Sequence, residues 1–277
     1  MKTSIGALSG EELAVLAGIR MSVTTHLVAE AAMVDGNLAA LCGAPFTLSL
    51  ATVGVRGRAR LSCGEGKVSA SFGEGFGGFS RGAAGGMLVF PSAHACARSL
   101  AGGRGIIIPL PFGVAFPRAL RFFKAATGRA PELLRSPEVP PQPKARLLLA
   151  ATAHGLAAVA GDSYLEKRMH HFPDGIVRIG SGDALFLLEK KGRSIQVLES
   201  APDGGAGAAT SRVPDAILSF ASPESAIAVL SGKRQAVVAL GSGEVTIAGL
   251  LPLVQGLFSV LDRLSWYLGV AIGEEGK

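Results

Sequence analysis

An internal repeat constrains the fold of this 277-residue chain more than any other feature of its sequence. Residues 86–110 align without a gap on residues 216–240, at a shift of 130 positions. Seven of these 25 pairs are identical, where roughly two are expected from average composition. The identical pairs are Leu88/Leu218, Phe90/Phe220, Ser92/Ser222, Leu100/Leu230, Gly102/Gly232, Arg104/Arg234 and Leu110/Leu240. A repeat of this length predicts two copies of one structural unit.

The repeated segment contains local sequence signals for a strand, a short helix and a second strand. In each copy a short apolar run predicts a strand, and a serine N-cap follows it, Ser92 or Ser222. The helix after the cap is about two and a half turns long, and it ends before a glycine suited to the left-handed C′ position. The next apolar runs, Ile106–Leu110 and Ala236–Leu240, again predict strands.

The remainder of the two halves agrees in outline. Ser9 and Glu12 form a capping-box pattern before a helix that we expect to reach about Met33. Strands are predicted at 46–53, 58–63 and 67–72, and again at 176–179, 184–189 and 194–199. Helices are predicted at 145–169 and, closing the two halves, near 115–127 and 250–268. Both halves therefore show helix, three strands, loop, strand, helix, one or two strands and helix.

A proline-rich segment divides the halves. Ser136–Lys144 reads SPEVPPQPK, and its prolines remove backbone donors and restrict φ, which predicts a stiff connector rather than a helix or strand. The predicted domains are therefore residues 1–135 and 145–277, with 136–144 as the linker.

The composition is more apolar than that of a typical soluble protein, with 48% apolar and 17% charged residues. Such a chain hides apolar side chains in a cavity, presents them to a partner or touches a membrane. The most apolar stretch, Val245–Leu261, is interrupted by Gly249 and Pro252, so it predicts a core or surface helix, with interfacial contact as the alternative. The N-terminus does not show the pattern of a signal peptide.

The distribution of charged residues indicates which classes of partner the chain suits. The net charge is +6, but the basic residues are scattered and aromatics make up only 6%, which argues against nucleic acid. A mildly basic surface suits either solubility alone or contact with anionic lipid headgroups. Three cysteines without short metal spacing predict neither a disulfide framework nor a zinc site, and a cytoplasmic location is expected.

The segment 215–249 reads DAILSFASPESAIAVLSGKRQAVVALGSGEVTIAG, and an apolar C-terminal helix follows it. This order of strand, capped short helix, Leu-Ser-Gly-Lys, and Gly-x-Val-x-Ile-x-Gly resembles the sterol carrier protein 2 (SCP2) family. The resemblance is strongest over Asp215–Leu268 and looser over Leu156–Glu199. The first half resembles the family mainly through its similarity to the second.

The resemblance implies an α+β fold of two tandem units, each a mostly antiparallel five-stranded sheet covered by helices. It also implies an apolar tunnel for fatty acyl, sterol-like or isoprenoid ligands, and binding or transfer without bond chemistry and without a cofactor. In several multidomain bacterial proteins of the family the unit is an accessory or dimerising module, so a scaffold or homodimer is the alternative. The first half departs from the pattern at Pro109, Pro111 and Pro117, which predicts a last strand that is short, at an edge or missing.

We expect the second half to bind the lipid. Its C-terminal helix carries leucines at spacings of three and four, which lie on one helix face and form either core or a cavity wall. The candidate lipid-binding residues are Ile217, Phe220, Ile227, Leu230, Val238, Leu250, Leu253, Leu257, Phe258, Leu261 and Trp266.

Three other patterns contain residue types that are also found in cofactor, catalytic or metal sites. Gly73-x-Gly75-x-x-Gly78 formally matches a dinucleotide fingerprint, but no helix opens at its third glycine, so a loop is favoured over a cofactor-dependent enzyme. His94/Cys96 and His170/His171 are more typical of packing and of a helix end than of a catalytic pair or a metal site. No nucleophile elbow, P-loop or zincin motif occurs in the sequence, and the chain is predicted not to be an enzyme.

Overall fold

The computed structural model describes residues 4–64, 66–73, 85–198 and 213–269. These residues form two compact units, the first of residues 4–135 and 265–269 and the second of residues 136–264. Each unit contains a five-stranded sheet and several helices. The predicted α+β class with two similar units is confirmed.

In the first unit a short 3₁₀ turn precedes two helices, and the strands follow. The elements are α1 (Gly10–Val34), α2 (Gly36–Ala40), β1 (Phe46–Thr52), β2 (Arg58–Gly64), β3 (Lys67–Gly73), β4 (Gly85–Phe90), α3 (Ala93–Leu100), β5 (Ile108–Phe112) and α4 (Phe116–Arg135). The Ser9–Glu12 capping box is present at the start of α1, as predicted.

The second unit repeats this order with one additional helix. Its elements are α5 (Pro141–Val159), α6 (Ser163–Met169), β6 (Gly175–Ser181), β7 (Ala184–Lys191), β8 (Ser194–Leu198), β9 (Ala216–Phe220), α7 (Pro223–Leu230), α8 (Ala236–Gly241), β10 (Val245–Gly249) and α9 (Leu251–Leu268).

The two sheets have the same topology. The strand orders are β3-β2-β1-β4-β5 and β8-β7-β6-β9-β10. In each sheet one pair is parallel, β1 with β4 and β6 with β9, and the other three pairs are antiparallel. The sheets are therefore mostly antiparallel, as predicted, and the shared strand order supports the duplication independently of the sequence identities.

The repeated helix has the same capping geometry in both units. Ser92 Oγ accepts a hydrogen bond from the Ala95 amide at 3.1 Å, and Ser222 Oγ accepts one from the Ser225 amide at 3.2 Å. Gly102 and Gly232 follow the helix ends with φ of +83° and +73°, the left-handed conformation that glycine adopts without strain. The predicted cap–helix–glycine unit is confirmed in both copies.

The predicted strand at 236–240 is wrong, because these residues form α8. The last strand of the second unit is β10 instead, in which Ile247 pairs with Leu218. In the first unit Pro109 pairs with Leu88, which is the repeat partner of Leu218. Pro109 and Ile247 are therefore equivalent positions, and they lie 138 residues apart in the chain rather than 130. The extra eight residues contain α8. A short apolar run does not distinguish a buried strand from a helix by its periodicity, which is why the pattern misled.

The last strand of the first unit is present despite its prolines. β5 lies at the edge of the sheet and is five residues long, and Pro109 and Pro111 both lie within it. Proline is tolerated at an edge because only one side of that strand joins the ladder. Of the three predicted alternatives, a strand that is short, at an edge or missing, the structure shows the edge strand.

The proline-rich segment is partly helical, which corrects the prediction of a connector without secondary structure. Helix α5 begins at Pro141, with Pro140 as its N-cap residue, so residues 141–144 belong to the helix. Proline fits the first helical turn because the amide that it lacks has no intrahelical acceptor there. The single helix predicted to reach Met169 is divided near Gly161, and Asp162 caps α6 by accepting the Tyr164 amide at 2.7 Å.

Helix α1 is the central helix of the first unit and contacts α3, α4 and β3. By length and composition it is apolar enough to cross a bilayer, although more than half of its most apolar window is buried in the structure. A buried core helix passes the same test, and its contacts are those of such a helix. Helix α4 covers the neighbouring strands, with the rings of Phe46 and Phe122 5.5 Å apart.

Candidate functional site

The second unit contains a small apolar pocket between its sheet and α9. Strands β6, β7 and β8 form one wall, α9 forms the opposite wall, and the end of α6 closes one side. The lining residues are Met169, Phe172, Val177, Leu188, Lys190, Ile195, Leu253, Gly256, Leu257 and Val260.

The sheet wall follows from strand geometry. Successive side chains of a strand alternate between its faces, and Leu188 and Lys190 therefore share the buried face of β7. Cross-strand register places Val177 opposite Leu188 and Ile195 opposite Lys190. The result is a compact group of aliphatic side chains with one ammonium group at its margin.

The helix wall follows from helical periodicity. Residues at 253, 256, 257 and 260 recur at spacings of three and four, so they lie on one face of α9. Leu253, Leu257 and Val260 on this face are all less than one-tenth exposed. Leu253 and Leu257 of the predicted leucine face are therefore buried, whereas Leu250 is 39% exposed.

A glycine in α9 lets Phe172 close the pocket. A Cβ atom placed on Gly256 would lie only 2.5 Å from the ring of Phe172, so no larger residue fits there without displacing that ring. The remaining space for the centre of a water molecule is about 10 Å³, enough for roughly one water. This space is too small for an acyl chain.

Lys190 places a charge beside this apolar space. Its side chain is only 8% exposed, and its Nζ donates to the Phe172 carbonyl oxygen at 2.7 Å and to Asp174 Oδ1 at 2.6 Å. The hydrogen bond from Lys190, together with one from the Gly192 amide, holds the pKa of Asp174 below its ordinary value. These contacts compensate the positive charge of the Lys190 ammonium group. They also connect β7 to the segment that contains Phe172.

No family model matches this chain, and no curated protein does. Among solved structures it is similar to a UbiJ-SCP2 ubiquinone synthesis protein, with 17% identity and a TM-score of 0.29 over 39% of this chain and 82% of the other. It is also similar to sterol carrier protein 2 like 2 from Aedes aegypti, with 14% identity and a TM-score of 0.22 over 35% of this chain and 89% of the other. Both proteins have SCP2 in their names.

The structure brings together only part of the predicted lipid-binding set. Leu253 and Leu257 line the pocket. Of the others, Phe220 is buried elsewhere in the second unit, Val238 and Leu250 are exposed, and Ile217, Ile227, Leu230, Phe258 and Leu261 are half-buried outside the lining. Trp266 lies beyond residue 264, where the second unit ends, with its ring 4.9 Å from that of Tyr267.

Sequence reasoning missed the sheet side of the pocket. The alternating apolar pattern at 184–189 and 194–199 predicts strands, and the same alternation identifies their buried faces. It does not show which face α9 covers, since that depends on contacts between residues distant in the sequence.

The other candidate patterns do not assemble a reactive centre in the described part of the chain. Cys96 is fully buried, and burial raises the pKa of its thiol to about 11, which keeps it protonated. His170 Nε2 accepts a hydrogen bond from Arg193 Nε at 2.6 Å. Gly75 and Gly78 of the glycine-rich motif lie outside the described residues, and no group of three metal-ligating side chains occurs within them.

Proposed function

We propose that the second unit binds one apolar lipid chain in the space between its sheet and α9, without covalent chemistry. The aliphatic lining of this space carries the proposal, because it offers dispersion contacts to a hydrocarbon and few hydrogen bonds to fix a polar substrate. The ligand class is a fatty acyl, sterol-like or isoprenoid molecule, held and passed on without a cofactor. Cytoplasmic location and absence of a nucleic-acid partner belong to the same proposal.

In this proposal Phe172 occupies the position of the ligand and swings out when a lipid binds. The closed volume makes this movement necessary, and the ring is held by shape against Gly256 rather than by a polar bond. Lys190 keeps its hydrogen bond to the Phe172 backbone, so the side chain turns while the main chain stays in place.

Replacing Phe172 with alanine tests this proposal. We expect Phe172→Ala to bind N-phenyl-1-naphthylamine, an uncharged apolar fluorophore, about five- to tenfold more tightly than the wild type, because no aromatic ring has to leave the pocket. Fluorescence titration measures the dissociation constant. Val237→Ala, which removes methyl groups from a side chain 78% exposed in the same unit, is the matched control and should bind as the wild type does.

Lipid extraction from the purified full chain, followed by mass spectrometry, supplies the second measurement. A stoichiometric apolar lipid supports the proposal. Absence of lipid, together with equal and negligible probe binding by the wild type and Phe172→Ala, would refute it.

The closed pocket favours one alternative, a non-catalytic scaffold whose units hold no ligand. Room for about one water is what a packed core leaves. Under this alternative the chain forms a dimer that ignores lipid, so gel filtration with light scattering, with and without added oleate, separates the two functions.

A further inference from the structure

The edge strand of the first unit forms an exposed apolar surface. Residues 106–114, here called the β5 surface, read IIIPLPFGV, and each of them is exposed. The exposed fractions of its large side chains are 68% for Ile106, 41% for Ile107, 44% for Ile108, 37% for Leu110, 43% for Phe112 and 96% for Val114. A single exposed apolar residue is ordinary, whereas a contiguous group of this size marks an interaction surface.

The prolines of β5 oppose pairing with another strand. Pro109 and Pro111 are two residues apart, so their nitrogens face the same side of the strand. A proline nitrogen cannot donate to β4, so β5 pairs with β4 through Ile108, Leu110 and Phe112. The proline nitrogens therefore face the outer edge, which lacks amide donors at both positions. A strand of a second copy or of another protein would find incomplete partners there.

Basic residues flank the apolar surface along the chain. Residues 75–131 contain seven lysine and arginine residues and no aspartate or glutamate. Arg104 precedes the surface by two residues, and Arg118, Arg121 and Lys124 follow it at spacings of three along α4. All four are exposed, while the opposite side of α4 is buried through Phe122 and its neighbours.

The second unit lacks this combination at the equivalent strand. In β10, Val245 is buried and Thr246 presents a polar group, and Glu244 lies directly before the strand. The exposed apolar edge with basic flanks is therefore a property of the first unit and not of the fold.

We propose that the β5 surface, together with Arg104, Arg118, Arg121 and Lys124, docks the first unit on an anionic membrane surface. Aliphatic side chains enter the boundary between headgroups and acyl chains, and the basic groups contact lipid phosphates and carboxylates. Nucleic acid is a poorer fit, because its phosphates and bases offer no partner for three consecutive isoleucines. This surface functions whether or not the second unit binds a lipid.

Co-sedimentation of the full chain with vesicles tests the proposal. We expect binding to vesicles of phosphatidylcholine with phosphatidylserine, and at least tenfold weaker binding to phosphatidylcholine alone. The double variant Ile106→Glu with Val114→Glu should lose about tenfold or more of the partition coefficient, since both side chains are exposed and the new charges are repelled by the anionic surface.

The matched control adds the same charges elsewhere. Val213 and Val237 of the second unit are 84% and 78% exposed, and Val213→Glu with Val237→Glu should retain vesicle binding within about twofold. Circular dichroism confirms that both double variants fold. Equal binding by the Ile106→Glu/Val114→Glu protein and the wild type would overturn the proposal. So would light scattering that shows a wild-type dimer lost in that variant, because the surface would then be a self-association face.

The outcomes are distinguishable from those of the pocket experiment. Vesicle binding without fluorophore binding leaves the docking surface standing and removes the lipid pocket, and the reverse result does the opposite.

Discussion

His26 lies inside α1 with its ring buried and its Nδ1 2.7 Å from the Ser22 carbonyl oxygen. Burial lowers the pKa of this imidazole to about 4, although hydrogen bonds to backbone groups act in the opposite direction. The folded state therefore holds His26 neutral at pH values where the unfolded chain already binds a proton. The burial of His26 should therefore have a measurable effect on the pH dependence of stability.

Stability should fall as the pH drops from about 6.5 to about 4, because protons then bind the unfolded state preferentially. His26 contributes about 3 kcal/mol of this loss. We expect His26→Gln to remove that part of the pH dependence in urea unfolding at about pH 7 and about pH 4. His94→Gln, at a half-buried position of α3 in the same unit, is the matched control for replacing a histidine with glutamine. Equal losses for the wild type and His26→Gln would contradict this account.

The repeated short helix shows how far local chemistry determines an element. α3 and α7 have the same length, the same serine cap and the same glycine after the end, although few of their other residues agree. All of these features depend on neighbours within a few residues, so the sequence predicts them well. The run at 236–240 has no such signal, and there the prediction failed.

The two caps should contribute equally. Ser92→Ala and Ser222→Ala each remove one acceptor for an N-terminal amide, and we expect each to cost about 1 kcal/mol of unfolding free energy in urea denaturation. Ser92→Asp and Ser222→Asp retain an acceptor and should cost much less. If the aspartate variants lose as much stability as the alanine variants, the cap hydrogen bond is not the cause.

At the scale of the whole molecule, the two units share a fold but differ in what they expose. The first unit presents apolar and basic groups at β5, and the second encloses its aliphatic side chains behind Phe172. The two proposed activities therefore depend on different forces. Contact with lipid headgroups is electrostatic in part, whereas binding of an uncharged chain in the pocket is not.

Salt should separate these activities in one preparation. Raising ionic strength from about 0.1 M to about 1 M shortens the screening length from about 10 Å to about 3 Å. We expect co-sedimentation with phosphatidylserine vesicles to weaken about tenfold or more, while the affinity for N-phenyl-1-naphthylamine changes by less than about twofold. Parallel titrations at both salt concentrations measure the two effects. A parallel decline of both would indicate that one site accounts for them.

Sequence alone determined the duplication, the helix caps, the alternation of the strands and most of the order of elements, although it missed α8 and the division between α5 and α6. Each of these depends on the repeat or on residues close together in the chain, such as Ser92 with Ala95 and Ser222 with Ser225. The α+β class followed from that order and from the family resemblance.

Only the tertiary structure decided which faces are covered. It seats Phe172 against Gly256, 84 positions away in the chain, leaves 106–114 uncovered, and puts just two of the predicted lipid-binding residues, Leu253 and Leu257, in the pocket. The physical reason is that burial is a sum of contacts between distant segments. A pattern of apolar residues indicates which face of an element is apolar. It does not indicate which other element packs on that face, or whether the face stays exposed.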